Sequence, residues 1–132
     1  MTDRELFERA REAQKRAYVP YSKFKVGACL LSSDGRVFDG CNIENASYGV
    51  TICAERCAIC NAVNQGATRF IAVAVVGGSA FAWPCGACRQ VLNEFSDDMR
   101  VICGSDATGE LRIAKLSELL PHSFGPDDLD HK

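Results

Sequence analysis

Two short segments of the chain place cysteines where they could bind one metal ion. Cys53 begins a Cys-Ala-Glu tripeptide, and Cys85 and Cys88 form a Cys-x-x-Cys pair. Each segment is predicted at the start of a helix, where free backbone N–H groups and the helix dipole favour the thiolate form. Three thiolates leave a fourth tetrahedral position for water, as catalytic zinc sites do. We therefore expect one Zn²⁺ per chain, held by Cys53, Cys85 and Cys88.

Acidic and basic residues beside these cysteines could take part in the chemistry. Glu55 lies two residues after Cys53, so it could reach a water on the metal without binding the metal itself. Its expected role is general base and then general acid. Because three thiolates give the site a net negative charge, a nearby cation should help, and Arg56 and Arg89 are the candidates. Arg56 is our predicted charge-balancing residue because it is closest in sequence to Cys53.

Sequence patterns predict the elements that hold these residues. Thr2 and Glu5 form a capping-box pattern, and apolar residues then recur at helical spacing until Pro20. Asp34-Gly35 separates two β-type runs that should form an antiparallel hairpin. The other predicted helices are Cys53–Gln65, Cys85–Phe95 and Leu116–Leu120, and the predicted strands are Lys25–Leu31, Arg36–Cys41, Phe70–Val76, Arg100–Cys103 and Glu110–Ala114.

The order of these elements predicts an α/β fold. We expect a three-layer α-β-α arrangement around a mixed sheet of about five strands, in a single domain over residues 1–132. Arg100–Cys103 and Glu110–Ala114 should be antiparallel neighbours, because too few residues join them for a parallel crossover. The polar tail from His122 is expected to be frayed, or pinned by Phe124 and Leu129.

Composition and charge argue against several classes of protein. The net charge is −2 and no block of like charges occurs, so a nucleic-acid surface is not expected. No stretch approaches the roughly 18 apolar residues of a spanning helix, and the first residues are polar. Eight cysteines in a chain with periodic helices and strands favour reduced thiols over a disulfide framework. We therefore expect a cytoplasmic protein that binds neither membrane nor nucleic acid.

The motifs around the cysteines resemble the cytidine deaminase family in its short, three-cysteine form. The resemblance rests on Cys-Ala-Glu from Cys53 and on Pro-Cys-Gly-Ala-Cys-Arg-Gln-Val from Pro84. It extends to Tyr-Val-Pro-Tyr-Ser from Tyr18, to the ten residues from Gly40, and to Leu-Leu-Pro from Leu119. It implies zinc-dependent hydrolysis of cytidine and 2'-deoxycytidine to uridine and 2'-deoxyuridine plus ammonia, within pyrimidine salvage. A related aminated pyrimidine such as blasticidin S is the alternative substrate.

The resemblance also implies substrate contacts. It places Asn42 and Glu44 on the ribose hydroxyls and Phe24 along the nucleoside pocket. It directs the backbone of Ala54 to the pyrimidine carbonyl and Glu55 to N3. Short members of the family resemble homotetramers with shared active sites.

In such an assembly, Tyr48 and Phe124 match the residues that a neighbouring subunit contributes. Trp83 departs from the family pattern, in which a small residue such as serine is common before Pro-Cys. The resemblance directs the backbone carbonyl of Trp83, rather than its side chain, toward the leaving amine.

Two other readings of the cysteines are possible. Cys57 and Cys60 form a second Cys-x-x-Cys, which with Cys85 and Cys88 could make a structural four-cysteine zinc site. Such a site would leave Glu55 without a role. A redox dithiol at Cys85 and Cys88 is also possible, but it leaves Cys53 unexplained. The cysteines outside the predicted zinc site are expected to be small buried apolar residues; they are Cys29, Cys41, Cys57, Cys60 and Cys103.

Overall fold

The computed structural model describes residues 1–129. Its five strands are β1 (Gly27–Ser32), β2 (Val37–Cys41), β3 (Phe70–Val76), β4 (Ser96–Gly104) and β5 (Leu111–Lys115). Its α-helices are α1 (Asp3–Gln14), α2 (Ala54–Asn64), α3 (Gly86–Glu94), α4 (Leu116–Leu119) and α5 (Pro126–Leu129). A 3₁₀ turn covers Tyr48–Val50. No helix among these residues is both long and apolar enough to cross a bilayer.

The strands form one mixed sheet in the order β2-β1-β3-β4-β5. β3 and β4 are parallel, and the other neighbours are antiparallel. The predicted hairpin is present: Gly35 takes a positive φ of 94°, which glycine tolerates, and its N–H donates to the carbonyl of Ser32 at 3.0 Å. The prediction of a mixed sheet of five strands is confirmed.

Helix α1 covers one face of the sheet. Its capping box is complete, since the Thr2 hydroxyl accepts from the Glu5 N–H at 3.1 Å and Glu5 accepts from the Thr2 N–H at 2.8 Å. The apolar stripe of the helix packs on side chains that alternate along the strands, as a pleated sheet requires. The buried residues of this layer are Leu6, Phe7, Ala10, Cys29, Leu31, Ala72, Ala74, Val76 and Ile102.

Helices α2 and α3 cover the other face, which completes three layers. The intervening strand residues point here, so that Leu30 and Val73 face α2 and α3 while Leu31 and Ala72 face α1. The α2 residues on this side include alanines at 54, 58 and 62, which let the helix approach the sheet closely. Gly40 of β2 allows the same approach, because a Cβ there would overlap the backbone of Ala54 and Ala58.

The element boundaries differ from the predicted ones by one residue at the starts of α2 and α3 and by four residues at the start of β4. Cys53 and Cys85 have extended backbones and are N-cap residues, so α2 and α3 each begin one residue later than expected. The tail prediction is wrong in one respect. The side chains of Phe124 and Leu129 are exposed, and the carbonyl of Phe124 accepts a hydrogen bond from Gln90 at 2.8 Å instead. The last three residues of the predicted tail, 130–132, lie outside the described residues.

Replacing Gly40 by alanine should destabilise the protein, because the added methyl group would push α2 away from β2. We expect Gly40→Ala to lower the free energy of unfolding by about 1–3 kcal/mol, as overpacking typically does. Gly49→Ala is the matched control, since a Cβ at Gly49 meets nothing within 4 Å. Urea unfolding measures both variants. Equal stability of the two would contradict the close approach of α2.

Candidate active site

Three thiols converge where two helices begin. Cys53 caps α2, Cys85 caps α3, and Cys88 lies buried in the first turn of α3. Their Sγ atoms all lie within 4.8 Å of one another. Neither Cys57 nor Cys60 belongs to this group. The geometry therefore favours the predicted three-cysteine site over the four-cysteine alternative.

The donor set fits zinc. Tetrahedral zinc with Zn–S distances of about 2.3 Å places ligand sulfurs about 3.8 Å apart, so the thiols need only a small inward movement. Thiolates are also among the ligands that zinc prefers. Burial acts to raise the pKa of the Cys85 thiol, but hydrogen bonds from the Cys88 backbone and the neighbouring thiols outweigh it and lower that pKa. Cys85 is thus inclined toward the form that binds a metal.

The guanidinium of Arg56 lies at the edge of the thiol cluster. Its Nη2 is 3.7 Å from Cys53 Sγ and donates to the carbonyl of Thr51 at 3.0 Å. Its Nε is buried and has no hydrogen-bond partner within residues 1–129. Contact with the Cys53 sulfur is the largest cause that raises the pKa of Arg56. A fixed positive charge therefore stands beside the sulfurs.

Arg89, the other candidate cation, holds backbone instead. Its Nε donates to the carbonyl of Pro84 at 2.7 Å, and its Nη1 donates to the carbonyl of Leu119 at 2.8 Å. These two bonds tie the segment that precedes Cys85 to helix α4. Arg89 thus helps to fix the position of the loop that leads into Cys85.

Glu55 is a buried carboxyl group. It is only 5% exposed, and its side chain makes no hydrogen bond to another side chain within residues 1–129. Burial is the main reason that its pKa is raised, while its own backbone N–H and the charge of Arg56 act in the opposite direction. Such a carboxyl group holds a proton more readily than an exposed glutamate does.

A cleft of about 230 Å³ opens onto the thiols and Glu55. Its walls come from the sheet, the segment before β1, the start of α2 and the loop before α3. The lining residues are Phe24, Val26, Asn42, Thr51, Cys53, Ala54, Glu55, Val75, Ala82, Trp83 and Cys85. A larger cavity of about 490 Å³ lies between α3 and the C-terminal segment, but it contains none of the thiols. The chemistry, rather than the volume, identifies the smaller cleft as the functional one.

Comparison with known proteins shows the family of this chain. Residues 1–105 match the family model described as the cytidine and deoxycytidylate deaminase zinc-binding region. The chain belongs to this deaminase family. Zinc is the cofactor, because the matched region is a zinc-binding region and the three thiols are positioned to hold a metal.

Several deaminases resemble the chain over nearly its whole length. The cytidine deaminase of Sporosarcina psychrophila is 43% identical over 96% of this chain and 93% of its own, and that of Halalkalibacterium halodurans is 47% identical over 95% and 96%. Among solved structures, the cytidine deaminase of Burkholderia pseudomallei is 46% identical, with a TM-score of 0.88 over 94% of this chain and 100% of its own. That of Mycobacterium tuberculosis is 43% identical, with a TM-score of 0.79 over 92% and 95%.

The deaminase cleft brings together only part of the substrate-binding set that the sequence predicted. Phe24, Asn42 and Ala54 line it together with Glu55. The carboxyl group of Glu44 lies outside the lining, where its Oε1 accepts from the backbone N–H groups of Tyr21 and Ser22, both at 3.1 Å. These bonds hold Glu44 in a fixed orientation, and hydrogen bonding to Ser22 is the main cause that lowers its pKa.

Two further predicted contacts lie away from the cleft of their own chain. Tyr48 is 68% exposed and packs on Tyr21 with ring centroids 5.7 Å apart. Phe124 is 59% exposed beside α3. Neither side chain lines the cleft formed by residues 1–129. Contact with a substrate in this cleft would require a second subunit.

Four cleft residues were missed by the sequence reasoning: Val26, Thr51, Val75 and Ala82. Val75 occupies the end of the central strand β3, and that position is the only signal that could have indicated it. The expectation that the remaining cysteines are buried is correct for Cys29 and Cys103, where burial raises the pKa of each thiol to about 12.

That expectation is wrong for Cys60, which is exposed, and only partly right for Cys41 and Cys57, which are half-buried. Cys60 is exposed because its position in α2 turns it away from the face that packs on the sheet. Ala58, Ile59 and Ala62 occupy that buried face.

Replacing any one of the three clustered cysteines should remove the zinc. Cys53→Ala, Cys85→Ala and Cys88→Ala should each fall well below one zinc per chain, because two thiolates bind the ion weakly. Cys57→Ala and Cys60→Ala are controls on the same helix and should keep one zinc per chain. Atomic absorption on the purified proteins measures the content. Loss of zinc from a control, with retention in Cys53→Ala, would indicate the four-cysteine site.

Proposed function

We propose that the chain hydrolyses cytidine and 2'-deoxycytidine to uridine and 2'-deoxyuridine, with release of ammonia, in pyrimidine salvage. The observation that carries this proposal is the buried carboxyl group of Glu55 in a cleft shared with Cys53 and Cys85. A structural zinc site would have no use for that carboxyl group or for the cleft. The full-length resemblance to cytidine deaminases supports the same substrate class.

Glu55 is the proposed proton carrier. Zinc held by Cys53, Cys85 and Cys88 supplies the activation of the attacking water. Glu55 takes a proton from this water, delivers one to N3 of cytosine, and assists departure of the 4-amino group. A carboxyl group whose pKa is raised by burial suits this task, because it holds a proton more readily than an exposed glutamate does and can then pass it on.

Two backbone groups in the cleft are suited to hold the base. Ala54 is the first residue of α2, and its N–H has no acceptor within residues 1–129. It could donate to the pyrimidine carbonyl oxygen. The carbonyl of Trp83 accepts no hydrogen bond in the same part of the chain, so it could accept from the leaving amine. The residues that line the cleft thus include one unused backbone donor and one unused backbone acceptor.

Asn42 and Glu44 are the proposed ribose contacts. The Asn42 Oδ1 accepts from the Val26 N–H, and its Nδ2 donates to the carbonyl of Phe24, both at 2.9 Å. Each amide atom retains capacity for one more hydrogen bond. The two backbone N–H groups bind only the Oε1 of Glu44, so the carboxylate keeps acceptor capacity for a hydroxyl group.

We propose that Arg56 offsets the negative charge of three thiolates. Its Nη2 lies 3.7 Å from Cys53 Sγ, whereas the guanidinium of Arg89 donates its two hydrogen bonds to backbone carbonyls. By reducing the negative charge on the sulfurs, Arg56 would strengthen the activation of water that bound zinc supplies.

Purified protein should deaminate cytidine, seen as a loss of cytidine absorbance in the ultraviolet. Glu55→Gln should keep its zinc and its fold yet lose turnover by about three orders of magnitude or more, because no group remains to transfer protons. Glu94→Gln is the control, since Glu94 is an exposed carboxylate at the end of α3. Near-normal turnover by Glu55→Gln would refute the assigned role.

We further propose a homotetramer in the cytoplasm. All eight cysteines are free, as in a reducing compartment. Exposed apolar residues lie close in sequence to the cleft residues Asn42 and Thr51. They are connected by the Tyr18–Ile43 and Ile43–Ile52 bridges and by the Tyr21–Tyr48 pair. A continuous patch of this kind favours association with other copies.

Chains damaged at different residues should complement each other if active sites are shared. In a mixture of Glu55→Ala and Phe124→Ala chains, some sites would combine an intact Glu55 with a neighbour's intact Phe124. Activity after joint dissociation and reassembly should therefore exceed that of either variant reassembled alone. Light scattering gives the number of subunits. A monomer, or a mixture no more active than its parents, would contradict shared sites.

A further inference from the structure

Trp83 is the single tryptophan of the chain, and it forms a wall of the cleft. Its half-buried side chain packs against the apolar core beneath α2 and α3. Cys85 follows two residues later, so Trp83 stands near the thiol end of the cleft. This bulky side chain is not used by the proton transfers proposed above.

The backbone of Trp83 has little freedom to move. Its N–H donates to the carbonyl of Phe81 at 3.1 Å, and the next residue is the buried Pro84. A residue that precedes proline is restricted to extended conformations. Pro84 is itself held through its carbonyl by Arg89 at 2.7 Å. The backbone is thus held in place, and the packing of the indole on the core restricts the side chain, so that the indole can act as a fixed wall.

The chemistry of cytosine indicates which of its edges meets this wall. The reacting C4 must lie near Glu55 and the thiols, and the sugar on N1 must point away from them toward Asn42. The edge with O2 and N3 needs hydrogen-bonding partners, which the Ala54 N–H and Glu55 provide at the start of α2. The opposite edge carries only C5–H and C6–H. It requires apolar neighbours, which Trp83 and Ala82 can supply, because they line the cleft from the loop before α3 and not from α2.

We infer that Trp83 is a specificity-determining residue that restricts the cleft to cytosine nucleosides with hydrogen at C5. This inference rests on the proposed function and adds the identity of the accepted pyrimidines to it. A methyl group at C5 would have to occupy space that the fixed indole fills. The wild-type protein therefore accepts cytidine and discriminates against 5-methylcytidine.

The test compares turnover of the two nucleosides. We expect Trp83→Ser to lower the ratio of kcat/KM for cytidine to kcat/KM for 5-methylcytidine by about tenfold or more, the range expected for one methyl group in an apolar pocket. Trp83→Phe should give an intermediate ratio. This variant still tests the inference if the serine variant does not fold. An unchanged ratio in folded variants would overturn the inference. Absence of cytidine turnover in wild type would instead refute the proposed function.

Phe81→Leu is the matched control. Phe81 packs against the same core and lies under the guanidinium of Arg112, 4.1 Å from the ring centroid, but it does not line the cleft. Its substitution should leave the substrate ratio unchanged. An equal shift in this variant would mean that loosened packing, and not the wall, sets the ratio.

Binding of the products gives a readout that does not depend on turnover. Wild type should bind uridine more tightly than 5-methyluridine in calorimetry, and Trp83→Ser should lose most of this difference. Because Trp83 is the only tryptophan, its fluorescence should also change when uridine binds. Saturating uridine that leaves the emission unchanged would show that the indole does not contact the base.

Discussion

The convergence of two helix N-termini is the constraint on which the rest of the structure depends. Three sulfurs from α2 and α3 must lie within 4.8 Å of one another, although more than 30 residues separate Cys53 from Cys85 in sequence. The parallel pairing of β3 with β4 places α3 on the same face of the sheet as α2. Small residues at the contact of α2 with β2 then fix the depth of the first helix. Core packing thereby sets the geometry of the metal ligands.

The same arrangement holds polar groups in places where burial is unfavourable. A buried carboxyl group without a side-chain partner and an unpartnered Arg56 Nε both cost free energy of folding. The closely packed layers on both sides of β3 offset this cost. Polar groups that the fold leaves without partners are free to interact with a substrate. They lower the stability of the folded protein, but they are already positioned for catalysis.

The sequence predicted the fold well wherever local patterns decide it. The continuous apolar run of β3 was assigned with its bounds correct, and the capping box and the Asp34-Gly35 turn depend on neighbouring residues alone. The start of β4 was missed. Its polar residues Ser96 to Asp98 resemble a loop, and they enter the strand through an irregular pairing with β3 in which Asp98 takes a positive φ. Such a bulge depends on the partner strand, which no local pattern reveals.

The site residues likewise fall into those that local sequence patterns predict and those that depend on contacts between distant segments. The cysteine spacing and the Cys-Ala-Glu tripeptide indicate the metal donors directly, because each helix start is a local feature. Thr51, Val75 and Ala82 line the cleft only because separate segments meet there. The exposure of Cys60 likewise depends on which face of α2 packs against the sheet, and composition alone does not specify it.

The two hydrogen bonds of the Asn42 amide have a consequence for evolution of the cleft. Asn42 lines the cleft and also bridges the backbone on both sides of Lys25, at Phe24 and Val26. A substitution of Asn42 that altered recognition would also remove the hydrogen bonds that hold the segment carrying Phe24. A single substitution of Asn42 therefore changes ligand binding and local structure together. We expect new ligand specificity to evolve through cleft residues whose side chains have no structural role.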